Sequence, residues 1–168
     1  MSDLSSRLEN RKMASKDVRI CLDPNLLAQR DEAMKAITPP PGQDGRMAQS
    51  AKDARTRVTE IEQQIRDASI ILRVRGVGYT TYSRWMAECP PRKGRQESYD
   101  ASKFFMHAAK NSALYVDEDG TEQEITAEEW EELDKRITDG EHDRIAQAVV
   151  YVNRSLGNVT PLTDTSQE

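Results

Sequence analysis

Met47-Ala-Gln-Ser-Ala-Lys-Asp-Ala-Arg-Thr-Arg-Val-Thr-Glu-Ile-Glu-Gln-Gln-Ile-Arg-Asp-Ala68 runs straight into Ser69-Ile-Ile-Leu-Arg-Val-Arg75, and the change of period between them decides the fold class. In the first stretch Met47, Ala51, Ala54, Val58, Ile61, Ile65 and Ala68 recur at alternating spacings of four and three. That is a heptad seam, so the segment is a helix with one apolar stripe. Glu60, Glu62, Gln63 and Arg66 fall outside the stripe. In the second stretch Ile70, Leu72 and Val74 alternate with Ile71, Arg73 and Arg75. This is the two-residue period of a β-branched strand. A long helix feeding a strand predicts a mainly α (α+β) protein.

Working towards the N-terminus, Val18, Ile20 and Leu22 alternate within residues 17–22 and predict a second strand. Strands 17–22 and 69–75 are expected to pair as a small two-stranded sheet, which needs helices as cover. Asp23-Pro24 is a helix start, because Asp caps orphan N–H groups and Pro loses nothing at the first helical position. The helix is expected over 25–37, with Leu27, Met34 and Ile37 near one face. Thr38-Pro-Pro-Pro-Gly-Gln-Asp-Gly45 is a linker. It is short enough to fold the heptad helix back on helix 25–37, the pairing we favour; self-association through a coiled coil, giving a homo-oligomer, is the alternative.

Towards the C-terminus, Gly76-Val-Gly78 breaks the strand. Thr80 or Thr81 is expected to cap a helix 82–88 that Pro90-Pro91 stops. A helix is expected over 100–113, with Phe104, Phe105, Ala108, Ala109 and Ala113 on its apolar side. Asp119-Gly120 is a type I′ turn signal and predicts an acidic hairpin over 114–125. Thr126-Ala-Glu-Glu129 is a capping box that opens a helix carrying Trp130, Leu133 and Ile137. Asp139-Gly140 is expected to separate it from a last helix with Ile145, Val149, Val152 and Leu156. Residues from Asn153 onward show no apolar period. The expected organisation is a polar mobile tail (1–16), a strand–helix–linker–helix–strand region (17–75), a helical region with the hairpin (76–156) and a second mobile tail (157–168).

The 168 residues hold 24 Lys and Arg against 29 Asp and Glu, a net charge of −5. The balance is polarised. The span 73–95 carries +5, and the span 117–143 carries −11. The two segments either face one another in the fold or face water. Only 36% of residues are hydrophobic, no stretch is long and apolar enough for a membrane helix, and residues 1–16 lack the apolar run of a secretory signal. A location in the cytoplasm of the cell that makes it is therefore expected.

Few motifs carry chemistry. Cys21 and Cys89 are too few for a zinc site. An EF-hand in the acidic turn would put its first ligand at Tyr115, which cannot serve. His107 and His142 lack helical ligand partners, and a Cys89–His107 nucleophile pair has no oxyanion turn beside it. No phosphate-cradling glycine motif is present. No cofactor, metal or catalytic residue is expected. The basic 73–95 stretch contains Tyr79, Tyr82 and Trp85, the general recipe for nucleic-acid contact. The acidic segment opposes it, so nucleic acid is not an expected partner, nor is a membrane. The profile is that of a protein-binding module.

The order of the motifs narrows the reading. Val18-Arg-Ile-Cys-Leu-Asp23 enters a helix; a linker, a charged heptad helix and Ile71-Leu-Arg-Val-Arg75 follow. Tyr82-Ser-Arg-Trp-Met-Ala-Glu-Cys-Pro-Pro91, Glu124-Ile-Thr-Ala-Glu-Glu-Trp-Glu-Glu-Leu133 and Ala148-Val-Val-Tyr-Val-Asn153 close the series. From about Asp17 to Leu162 this resembles the tail assembly chaperones of long-tailed bacteriophages, particularly of actinobacterial hosts. The chain departs from that pattern in the acidic hairpin before the Trp130 helix. The resemblance implies a non-enzymatic chaperone that binds the tape measure protein, recruits tail tube subunits and leaves before the virion matures. The alternative is a structural component of the particle or a small protein-binding adaptor. Trp85, Met86, Phe104, Phe105, Trp130, Leu133 and Ile137 are the candidate partner-binding residues, because amphipathic faces of this kind can lie against another helix.

Overall fold

The computed structural model describes residues 3–37 and 47–155. Among them the order is α1 (Asp3–Glu9), β1 (Ser15–Cys21), α2 (Pro24–Ile37), α3 (Met47–Asp67), β2 (Ser69–Arg75), α4 (Tyr79–Glu88), α5 (Ala101–Ser112), β3 (Ala113–Val116), β4 (Glu122–Glu124), α6 (Ala127–Asp134) and α7 (Asp139–Asn153). The linker 38–45, Leu156 and the expected tail 157–168 lie outside the described residues. The chain divides into two units, residues 19–71 and residues 1–18 together with 72–168.

The first unit is built on α2 and α3. The heptad stripe closes on α2 within the chain: Val58, Ile61 and Ile65 are buried with Ala33 and Cys21, and Leu26, Leu27 and Ile37 pack against them. The face of α2 differs from the expected one by a single position. Ala33 is buried while Met34 is 49% exposed. The small alanine lets the two helices approach, and the long Met side chain is left outside. At the end of α3, Ser69 bonds back to the Ile65 carbonyl.

The other unit joins helices to most of a sheet whose strand order is β1-β2-β3-β4. The expected two-stranded ribbon is thus too small a sheet: the hairpin extends it to four strands, covering the β2 edge that a ribbon would leave bare. Strands β3 and β4 pair antiparallel, with Leu114 opposite Glu124 and Val116 opposite Glu122. Their turn is not type I′. Gly120 alone has positive φ, +87°, and its N–H reaches the Asp117 carbonyl at 3.1 Å. That geometry is a type I turn closed by a left-handed glycine, the usual three-residue hairpin loop.

Helices α5 and α7 form the centre of this unit. Phe104, Ala108, Ala109, Ile145 and Val149 are fully buried, with Trp85 and Trp130 beside them in the core. Asp100 is the N-cap of α5, accepting the Ser102 N–H at 3.1 Å. The cap of α4 is Gly78, not Thr80 or Thr81, and it makes no side-chain bond; both threonines fall in the first turn of a helix that starts at Tyr79. Thr126 forms its capping box with Glu129, and Thr138 forms a second with Glu141. Gly140 is therefore inside the first turn of α7 rather than a separator. Asn153 is the last residue of α7, and its side chain accepts the Val77 N–H at 2.9 Å.

Candidate functional site

Three aromatic rings of the second unit gather around Phe104. Its ring meets Tyr99 at 4.8 Å, Tyr82 at 5.1 Å and Phe105 at 5.4 Å between centroids, each edge to face. Such pairs add about 0.5–1.5 kcal/mol beyond their buried area. Arg154, just past α7, lays its guanidinium over the rings of Tyr82 (5.6 Å) and Tyr99 (5.9 Å) and approaches the Met86 sulfur at 3.6 Å. The Tyr82 hydroxyl is buried without a hydrogen-bond partner among the described residues. Burial raises its pKa, and the nearby Arg154 charge opposes the rise.

The seven candidate contact residues separate by burial. Trp85, Phe104 and Trp130 are buried in the core of the unit. Met86, Phe105, Leu133 and Ile137 are partly exposed. The most exposed aromatic ring is that of Tyr79, at 85%, which the sequence places merely beside the α4 start. His107 pairs with Glu88 at 2.8 Å and stacks edge-on to Trp85. Cys21 and Cys89 are both free and buried, and burial raises the Cys89 thiol pKa. No three His, Cys, Asp or Glu residues among those described are grouped to hold a metal, and no described helix is long and apolar enough to cross a membrane.

The opposed charge segments meet within this unit. Arg73 on β2 pairs with Asp17 on β1 at 2.7 Å and with Glu122 on β4 at 3.0 Å, and Arg75 pairs with Glu122 as well. Lys110 reaches Asp134 at 2.5 Å. Arg92 is taken up locally by Glu97, whose pKa it pulls down to about 2. The basic stretch 73–95 is thus substantially neutralised by carboxylates, which removes much of the field a polyanion would need.

Concavities among the described residues include two that bear on binding. One, about 430 Å³, lies on the α2–α3 pair and is lined by Ala28, Ala33, Ala36 and Ala54, with Glu32 and Arg57 among its polar residues. The Ala-rich start of the heptad signals close but weak packing there, and nothing in its period signals an open groove. The other, about 360 Å³, is lined by Arg75, Lys110 and Glu124 among others, and its two cations already hold the carboxylates named above.

Comparison with family models, with curated proteins and with solved structures gives no match to this chain.

Proposed function

We propose that the chain is a protein-binding module of the tail assembly chaperone kind, binding the tape measure protein of a long-tailed phage and helping to recruit tail tube subunits. The ordered motifs of the sequence support this reading. The observation that carries the binding role is the open alanine-lined groove on α2–α3. Small side chains let the backbone of another helix come close, and a tape measure protein is a long, largely helical chain that needs many reversible contacts before the tube encloses it. Glu32 and Arg57 give the groove one charge of each sign, which suits a partner helix of mixed charge.

The test is co-expression with the tape measure protein of the same phage. The expected result is a soluble complex. Ala36→Trp, at an exposed groove position, should abolish it while leaving the circular dichroism and thermal melt of the isolated chain unchanged. A tape measure protein that is neither bound nor kept soluble would refute the proposal. Abundant chain in purified mature particles would instead favour the structural-component reading.

A further inference from the structure

Strand β4 closes the strand order, so one of its edges has no neighbouring strand. The hairpin register shows which groups face that edge. Asp117 donates its N–H to the Thr121 carbonyl at 3.1 Å. The same pairing continues with Val116 opposite Glu122, Tyr115 opposite Gln123 and Leu114 opposite Glu124. In an antiparallel ladder hydrogen-bonded and non-hydrogen-bonded pairs alternate. Asp117–Thr121 is a bonded pair, so Tyr115–Gln123 is the next one. Glu122 and Glu124 therefore turn both N–H and C=O to the open edge. All three residues of β4 are exposed. These residues belong to one unit, as do Asp17, Arg73, Arg75 and Lys110.

This edge is acidic. Both outward residues are glutamates, and residues two apart in a strand place their side chains on one face. Ion pairs run Asp17–Arg73–Glu122, alternating in sign and ending on a carboxylate at the edge strand. Glu124 makes no ion pair among the described residues. Arg75 and Lys110, which line the concavity beside it, are held by Glu122 and Asp134. A second copy is a poor occupant. Across the edge outward residues meet outward residues, so every antiparallel register of two β4 strands sets glutamate against glutamate, which is destabilising. We propose that the edge takes instead a short, basic, extended segment of a partner protein as a further strand, with cations at alternate positions opposite Glu122 and Glu124. Main-chain hydrogen bonds supply the affinity, and the two carboxylates select the sequence. Charge on a short edge strand normally protects it from pairing. Here it rejects copies of itself and other acidic strands but admits a basic one. A contact this short is weak and reversible. The inference does not rest on the proposed chaperone role.

NMR titration of the isotope-labelled full chain with the capped pentapeptide Lys-Val-Lys-Val-Lys tests it. At low salt the amides of Glu122 and Glu124 should shift and gain protection from exchange with water. That of Gln123, already in the β3 ladder, should keep the protection it has. Added salt should weaken the complex. The pentapeptide with glutamate in place of lysine should not bind. Backbone N-methylation of the lysines keeps their charge but removes the donors that face the edge, so that peptide should give no protection. Glu124→Lys should weaken binding by roughly fivefold or more, since an attractive cross-strand pair becomes a repulsive one. Glu124→Pro removes an N–H from the open edge without touching the β3 ladder and should weaken it as well. Circular dichroism establishes that each variant is folded. Absence of protection at Glu122 and Glu124, equal binding of the glutamate or N-methylated peptide, or a Glu124→Lys variant that binds like wild type would overturn the proposal.

Discussion

At Gly76 the chain leaves β2 against two carbonyls. A Cβ there would stand 2.9 Å from the Val152 oxygen and 3.3 Å from the Ala14 oxygen. Both are backbone atoms, and the Ala14 carbonyl is held by the Gly76 N–H itself. Neither can swing aside. Gly76→Ala should therefore cost about 1–3 kcal/mol in urea denaturation, the range for forced overpacking. Gly78→Ala is the control, since a Cβ there meets nothing within 4 Å. Its small loss of capping preference is offset by a stiffer unfolded chain, so it should stay within about 0.5 kcal/mol of wild type. Tyr82 gives the opposite sign. Its hydroxyl is buried and makes no hydrogen bond of normal length and angle to any described residue, Arg154 lying nearby as a charge, so Tyr82→Phe keeps the edge-to-face contact with Phe104 and removes a desolvated group. The expected change is a stabilisation of up to about 1 kcal/mol, read from the same denaturation curves.

The helices α6 and α7 begin in the same way, with a threonine hydroxyl taking the N–H three residues on and a glutamate reaching back. Thr126→Ala and Thr138→Ala should each lower stability by about 1 kcal/mol, and the double variant by about the sum if the two caps act independently. Thr126-Ala-Glu-Glu129 is plain in the sequence. Thr138-Asp-Gly-Glu141 has the same logic, but its Asp-Gly pair carries the stronger local signal of a turn. The glycine is tolerated because the first-turn amides lack intrahelical partners and the cap supplies one. Period alone was enough for α3 and β2, whose stripes are long and regular. It could not show that the hairpin joins the sheet, because the charges connecting Arg73 to Glu122 lie 49 residues apart and leave no local mark. Nor could it show that Trp85, Phe104 and Trp130 turn inward while Met86, Phe105, Leu133 and Ile137 stay partly outside. An apolar helix face looks the same in sequence whether it meets its own chain or another. The alanine groove is illegible for a related reason: an Ala-rich stripe states that side chains are small, not whether the space beside them is filled.

At the scale of the molecule, charge and core make separate contributions. Asp17 has a pKa below its ordinary 3.8, chiefly through the hydrogen bond from Arg73, with partial burial opposing. A depressed carboxylate contributes stability above its unfolded pKa and loses it as pH falls through the folded one. The difference in stability between wild type and Asp17→Asn should be level above about pH 5 and shrink below pH 3.8, and its size should not exceed about 1 kcal/mol, since both partners are partly solvated. The cores differ more. The unit 19–71 relies on Cys21, Ala33, Val58, Ile61 and Ile65, whereas the other unit buries two tryptophans and Phe104. The smaller core should open first, as a sub-global unit. Ile61→Ala removes the best-buried side chain of this five-residue cluster, 4% exposed, and should cost that unit about 2–5 kcal/mol. Native-state hydrogen exchange then distinguishes two outcomes. Amides of α2 and α3 should exchange much faster while those of α5 and α7 keep their wild-type protection. A uniform rise across all four helices would show instead that the chain unfolds as one cooperative body, and that the division into two units is geometric only.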